Sequence, residues 1–536
     1  MSTITAVLSM LHEEGAGSAN RLFRDEPVLQ WTLDRLNQSR RLSGIALLCW
    51  DDQYSAVEGL AEEYDVAVLA KTPRTLLPAV EMVSASRRWA DGWRGGLQQT
   101  CDFDLGFYAP WIAEMFDETR SDALILVDPS AGLVDPQLLD AIIFHADSKP
   151  DVELCFSQAA PGLGGVVIRR ALVDRLIAAQ SHPGRMLHYL PDQPMRDPIG
   201  TYACCAVPTI VARTNRSFRL DSDRQIARLT EAFVTLNGQL ASSGAEELVR
   251  QLISRNDIDP LPREVIVELN TQRLSKPIYR PCVSNRRAPM TKAIAGRLLD
   301  ELSIADDTRI TLAGVGDPLE SELLFDFLSM ARDRGIKAVH IETDLLGDDI
   351  ELMTKLANAP ADVISFHLPA MSNATYAAVM GVDLFQRALR NISALAQARF
   401  ARGAGLPLLV PTFVKCSQNL AEMEAWYDQW TRAVGNAVIT GPSDFAGQIA
   451  DTAIADMAPP RRSACSRLAS KMTVLSDGTI VACEQDVLAL RPIGRVGEGS
   501  IERTWVERLQ TLRSCHRRGE WGAHPLCGAC KEWHRP

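Results

Sequence analysis

The chain has 536 residues, enough for about three domains of ordinary size, each with its own core. Hydrophobic residues make up 46% and charged residues 23%, a globular balance that excludes a disordered chain. Lys and Arg total 56 against 67 Asp and Glu, and the net charge of −11 argues against a general nucleic-acid binder, because neutralising phosphates needs surplus cations.

The first block runs from residue 1 to 244. It opens with a β-like run, Ile4 to Leu8, followed by Gly15-Ala16-Gly17-Ser18-Ala19-Asn20-Arg21. Backbone N–H groups in a glycine-containing loop between a strand and a helix can cradle phosphates, so Gly15, Gly17 and Arg21 are candidate anion-binding residues. A helix is predicted over 27–36, a strand over 44–50 and another over 123–127, ending at Asp128-Pro129. Continuous apolar strands alternating with helices predict a mostly parallel sheet covered on both faces. The Arg87-Arg88-Trp89 stretch reads as an amphipathic surface. Helix over about 223–254 leads into a proline-rich break, so 245–262 is expected to be a linker.

The second block, 263–460, offers strands at 264–269, 309–312, 338–341, 362–366 and 407–410, separated by helical patterns. Such a repeated β/α array predicts a full or partial barrel. Gly314, Gly316, Asp317, His340, Glu342, Asp344 and His367 fall at or near strand C-terminal ends, where barrels place their sites. Trp426, Tyr427 and Trp430 read as packing on a helix.

The third block, 461–536, is short, and its apolar core alone would be marginal; a bound metal is the usual remedy. Five of the twelve cysteines fall in it: Cys465, Cys483, Cys515, Cys527 and Cys530. Ser476-Asp477-Gly478 between two apolar runs signals a hairpin with Cys483 at its exit. Ser500 is a candidate N-cap for a helix through Leu512, and Cys527-Gly528-Ala529-Cys530 aims two sulfurs at one centre. Four thiolates from separated places can close one site, and spacing leaves iron–sulfur and zinc both open. Cys515, in helical register with Leu509 and Leu512, reads as a core residue, with an auxiliary ligand as the alternative. His516, His524 and His534 read as surface residues.

Three resemblances follow. CSRLASKMTVLSDGTIVACEQDV, IGRVGEGSIERTW, LRSCHRRG and CGAC, in that order over residues 465–530, resemble the SPASM domain, the auxiliary iron–sulfur extension of many radical SAM enzymes. That resemblance implies that Cys465, Cys483, Cys527 and Cys530 bind a [4Fe–4S] cluster. The middle block is similar to a radical SAM barrel. Leu312 to Leu319 looks like the family's Gly-Gly-Glu-Pro motif, which implies Gly314, Gly316 and Asp317 as contacts to S-adenosylmethionine. Yet the family's CxxxCxxC after the first strand is absent: residues 270–282 supply only Cys282. One thiolate cannot leave an iron open for S-adenosylmethionine, so its reductive cleavage is not expected. Residues 4–230 resemble the cytidylyltransferases that activate acidic sugars, of the nucleotide-diphospho-sugar transferase fold. That implies Asp128, with Asp221 or Asp223, as Mg²⁺ ligands. The family's Lys after the loop Arg is missing, which weakens nucleotide transfer.

The order as a whole resembles fusions that join a nucleotide-sugar transferase-like region to a SPASM region. The expectation is an α/β chain in three domains and an iron–sulfur protein derived from radical SAM enzymes, acting in modification of a sugar or peptide. A nucleotide or sugar ligand and a redox partner are expected. An active Mg²⁺-dependent nucleotidyltransferase and a non-catalytic scaffold are the alternatives. With no membrane-length apolar run and no signal-peptide pattern at the start, a cytoplasmic location without membrane partners is expected.

Overall fold

The computed structural model describes residues 2–535 apart from 73, 76, 198, 201, 237, 256–257 and 282–286. Cys282 therefore lies outside the described residues. The chain divides into two compact units, Met1–Asp257 and Ile258–Pro536, both mixed α/β. Residues 263–460 and 461–536 thus fall in one unit.

The first unit is built on β1 (Ile4–Ser9), β2 (Gly44–Trp50), β3 (Ala67–Lys71), β4 (Ala123–Val127), β5 (Leu154–Ser157), β6 (Val166–Ile168) and β7 (Cys204–Cys205), in the sheet order β3-β2-β1-β4-β6-β5-β7. The pairs β1–β2, β1–β4 and β2–β3 are parallel, while β6 runs antiparallel to both β4 and β5. Period-two alternation divides β1 between two cores. Ile4, Ala6 and Leu8 pack with Leu29, Leu33 and Leu36 of α1 (Val28–Leu36), and Val7 packs with Ile112 and Phe116. The chain moves from β1 to β2 and β3 on one side and later to β4 on the other. The topological switch point therefore lies between the C-terminal ends of β1 and β4, where open α/β sheets form their crevice.

Residues 245–253, expected as linker, instead form a helix of the first unit. Its apolar stripe of Leu248, Val249 and Leu252 is buried against Phe218 and Phe233, and that burial outweighs the proline-rich signal beyond it.

In the second unit, β8 (Glu264–Val267), β9 (Arg309–Leu312), β10 (Ala338–Thr343), β11 (Val363–His367), β12 (Leu408–Val414) and β13 (Val438–Thr440) lie in sequence order, each parallel to the next. The connections carry helices, including α2 (Lys292–Leu302), α3 (Leu324–Asp333), α4 (Ile350–Ala357), α5 (Phe385–Ala401) and α6 (Met423–Val434). The other edge of β8 pairs in parallel with β14 (Lys471–Val474), which continues into the hairpin strands β15 (Thr479–Val481) and β16 (Gly494–Arg495). The sheet is thus an open nine-stranded array, and among the described residues no pairing joins β13 to β16.

One face of this sheet is the core: Val265, Val267, Ile310, Leu312, Val339, Ile341, Ile364 and Phe366 pack with Leu298, Phe327 and Leu356 from the helices. Trp426 and Trp430 are packed there too. The alternate positions carry Glu264, Glu268, Thr311, His340, Glu342, Ser365 and His367. Apart from Ile266 and Val363 this second face is largely polar on β8–β11, whereas packed β/α barrels fill it with branched apolar residues.

Candidate metal centre and the two strand-end charge clusters

Cys465 precedes a short helix, Arg467–Ser470, that leads directly into β14. Cys483 lies just beyond β15, and the hairpin turn between β14 and β15 uses Gly478 at φ +88°, a conformation that Asp-Gly favours. Helix α7 (Gln510–Arg518) is followed by α8 (Pro525–Ala529), which holds Cys527 internally and Cys530 at its C-cap. These separate stretches bring Cys465, Cys483, Cys527 and Cys530 to the wall of one cavity with about 500 Å³ of empty space, partly open to solvent. Leu468, Ala482, Leu526 and Trp533 supply its apolar lining.

Burial pushes the Cys483 thiol far above its ordinary range, with Glu484, Cys465 and Cys527 adding to the rise. Cys527 is pushed up to about 12 by burial, then by Cys530 and Cys465. The four sulfurs therefore feel one another, and their joint ionisation calls for a cation among them. A soft all-sulfur donor set suits iron–sulfur or zinc. Among the described residues no three His, Cys, Asp or Glu side chains gather tightly enough to grip one ion. Zinc would need four sulfurs at about 2.3 Å from a single point, whereas an iron–sulfur cube spreads its thiolates over several irons.

Cations stand at the same wall. Arg467, 8% exposed, pairs with Glu484, and Arg462 donates to the carbonyl oxygens of Cys527 and Gly528 while lying over the Trp521 ring at 5.0 Å. Several buried polar atoms here have no partner: His516 Nε2, His524 Nε2, Arg462 Nε, Arg467 Nε and Glu484 Oε2. Such orphans fit a site shaped for a polar or charged group. Cys515 is buried outside the lining, with Arg518 Nη2 3.6 Å from its sulfur.

His516 corrects the surface reading. It is 3% exposed, lines the cavity and meets Trp521 edge-on at 5.3 Å. The inward face of α7 carries Arg513 and His516 one turn apart, a polar pattern that hydrophobic periodicity does not detect. His524 is half-buried at the same wall.

At the strand ends of the second unit, the segment where the CxxxCxxC would stand supplies arginines. Arg273 Nη1 lies 2.6 Å from Asp344 Oδ2, and its other nitrogens donate to the carbonyl oxygens of Val315 and Gly316. Arg280 pairs with Glu342, donates to Gly314 O and lies 3.1 Å from His367 Nε2. Arg287 lies 2.8 Å from Glu268 Oε1. The three recur every seventh residue, a spacing that is visible in the sequence. His367 Nδ1 sits 3.0 Å from Asp344 Oδ1. Burial would raise the Asp344 carboxyl, but Arg273, His367 and Ser275 hold it far below the ordinary range.

The predicted cofactor contacts there are occupied by the chain itself. Gly314 has φ +144°, and a Cβ on it would meet Glu268 at 2.8 Å. A Cβ on Gly316 would lie 2.3 Å from Asn270 O. Asp317 accepts from Leu319 N at 3.0 Å, Thr343 Oγ1 at 3.0 Å and Asp344 N at 2.8 Å. These glycines admit the chain of 268–270, and Asp317 ties β9 to β10.

In the first unit the Gly15–Gly17 stretch is helical rather than an open loop: Glu13–Ala16 forms a turn that begins after His12, and Gly17–Ala19 continues it. A Cβ on Gly15 would strike His12 Nε2 at 2.4 Å, and one on Gly17 would strike Arg21 Nη1 at 2.5 Å. The glycines make room for those side chains. At the switch point His12 Nε2 lies 3.3 Å from Asp128 Oδ2, and Ser130 also donates to Asp128. Burial pulls the His12 imidazole down, but Asp128 and Glu14 together push it up to about 9. Arg219 bridges Asp102, at 3.1 Å, and Asp221. Asp223 is exposed at the start of a helix, 3.8 Å from Arg21. Asp128 and Asp221 thus each have a protein cation, and exposed Asp223 faces Arg21. Arg87, expected on an amphipathic surface, is buried and donates to Thr100 O and Gly92 O.

No family model matches the chain. An uncharacterized protein of Treponema pallidum (strain Nichols) is 26% identical over 277 residues, covering 49% of this chain and 74% of that protein. Among solved structures, BtrN in complex with AdoMet and 2-DOIA aligns with 50% of this chain and 93% of its own, at 19% identity and TM-score 0.33. Streptococcus suis SuiB bound to precursor peptide SuiA aligns with 57% of this chain and 83% of its own, at 12% identity and TM-score 0.40. A cytidylyltransferase from Leptospira borgpetersenii serovar Hardjo-bovis (strain JB197) aligns with 47% of this chain and 93% of its own, at 13% identity and TM-score 0.34. At scores this low the likenesses establish neither ligand nor activity for this chain. Among the described residues no helix is long and apolar enough to cross a membrane.

Proposed function

We propose that this chain is an iron–sulfur protein in which Cys465, Cys483, Cys527 and Cys530 hold a [4Fe–4S] cluster. The observation that carries the reading is the convergence of these four cysteines, from separate stretches, on one cavity. When bound, such a cluster supplies one-electron transfer. The chain's own contribution is to offset the cluster's negative charge with Arg462 and Arg467 and to limit water with Leu468, Leu526 and Trp533.

The strand ends of the second unit do not cleave S-adenosylmethionine in this reading. Arg273, Arg280 and Arg287 satisfy the carboxylates there from the very segment that would need to hold a cluster. A Mg²⁺-dependent nucleotidyltransferase is the weaker reading, because His12 and Arg219 already neutralise Asp128 and Asp221.

The test is anaerobic purification of the full chain with iron, sulfide and zinc assays and electron-spin spectra. About four irons and four sulfides per chain are expected, lost on Cys465→Ser or Cys483→Ser. About one zinc and no iron would refute the cluster. About eight irons, or 5′-deoxyadenosine formed from S-adenosylmethionine, would refute the reading of the strand ends. Pyrophosphate release from a nucleotide panel, abolished by Asp128→Ala, would restore the transferase reading.

A further inference from the structure

His516 and His524 enter the four-cysteine cavity from α7 and from the N-cap of α8. His516 Nδ1 accepts the backbone N–H of Cys465 at 3.4 Å, and His524 Nδ1 accepts that of Leu526 at 3.3 Å. A ring nitrogen that accepts a backbone N–H carries no proton, so these hydrogen bonds assign the proton of each neutral ring to Nε2. Both Nε2 atoms are buried, and neither has a partner.

Unpaired buried donors are rare and costly. The oxygen acceptors in the lining are committed elsewhere. Asp486 accepts from Leu490 N and Arg491 N, Gln485 Oε1 from the Ser443 hydroxyl, and Glu532 pairs with Arg535. Glu484 Oε2 lies outside the lining, so among the side chains of the cavity wall the four sulfurs are the acceptors that remain.

We infer that His516 and His524 are positioning residues that donate N–H···S hydrogen bonds to the sulfurs of the cluster and thereby raise its reduction potential. This rests on the cluster reading above. The reduced state carries one more negative charge on the cluster, so a donor aimed at sulfur favours it. Neither histidine is a metal ligand in this assignment. Their Nδ1 bonds fix the ring orientation, as outer-shell partners do at metal sites.

The full chain, purified anaerobically with ¹⁵N-labelled histidine and reduced, is examined by pulsed electron-spin resonance. Weak imidazole nitrogen coupling is expected, reduced in His516→Phe. That variant should also lose about tenfold in its reduction equilibrium constant, equivalent to about 59 mV for one electron. His516→Gln, which keeps an N–H donor, should lose less. Iron-replete wild-type protein without nitrogen coupling overturns the inference and leaves the cluster reading standing. So does strong coupling from a directly bonded nitrogen. Should His516→Phe fail to assemble iron, the wild-type coupling decides. Wild-type protein that holds no iron overturns both.

Discussion

Replacing Arg273 with Met tests whether the strand ends of the second unit are a structural ion-pair network. Arg273 and Asp344 have side chains 6% and 1% exposed, with nitrogen and oxygen 2.6 Å apart. Arg273→Met removes this pair and the donors to Val315 O and Gly316 O. Asp344 keeps Ser275 and His367, too little to replace a buried guanidinium. Breaking a buried pair from one side costs about 3–5 kcal/mol, because the surviving charge stays desolvated. Through RT that is roughly a 10²- to 5 × 10³-fold rise in the opening of β9 and β10. Hydrogen exchange read by mass spectrometry on peptides covering 309–316 and 338–345 measures it. Arg273→Met/Asp344→Asn, which buries neither charge, should recover part of the loss. Less than a tenfold change in Arg273→Met would refute the reasoning and leave 270–281 free to accommodate a ligand.

Other expectations are as direct. His12 has its pKa raised from 6.5 to about 9, so it binds its proton more tightly in the folded chain. Its contribution is full below pH 6.5 and lost as pH rises through about 9, roughly 3 kcal/mol over that window. Thermal stability should therefore fall between pH 6 and pH 10, and His12→Gln should flatten that dependence. Gly316→Ala places a Cβ 2.3 Å from Asn270 O and should destabilise by about 1–3 kcal/mol, seen as faster exchange over 270–280. Gly59→Ala, where a Cβ on an α-helix meets nothing within 4 Å, should instead stabilise by about 0.5–1 kcal/mol in the same assay. Cys527→Ser should lose bound iron while leaving exchange over β1 and β4 unchanged, since they belong to the other unit.

The strands were legible because they are buried on both faces. Ile4–Leu8, residues 44–50 and residues 123–127 read as continuous apolar runs and form β1, β2 and β4. In the second unit the even-numbered positions of β8 and β10 mix polar Glu264, His340 and Glu342 with apolar Ile266 and Ala338, so the alternation is broken and the strand signal rests largely on Val265, Val267, Val339 and Ile341. What lay beyond reach was set by partners distant in the chain. The pairing of β14 with β8 depends on Lys471–Val474 meeting Glu264–Val267, about 200 residues earlier, and nothing in either stretch names the other. That pairing is why residues 461–536 share a compact unit with the strands before them.

The same reasoning separates the two kinds of site residue. Cysteines announce themselves by type and spacing, so the four cavity thiols were readable before the fold was. Glycines and carboxylates do not, because each has several uses. Gly316 and Asp317 look like ligand contacts in a motif, yet the first admits Asn270 and the second bonds Thr343 and Asp344. Arg280 shows why the strand ends had to be seen in three dimensions. It meets Glu342 and His367, 62 and 87 residues downstream, and its charge helps to keep that half-buried carboxylate ionised. Burial alone would raise Glu342, but Arg280 and then His367 hold it well below the ordinary range. Arg273, Arg280 and Arg287 thus offset Asp344, Glu342 and Glu268 from within the chain.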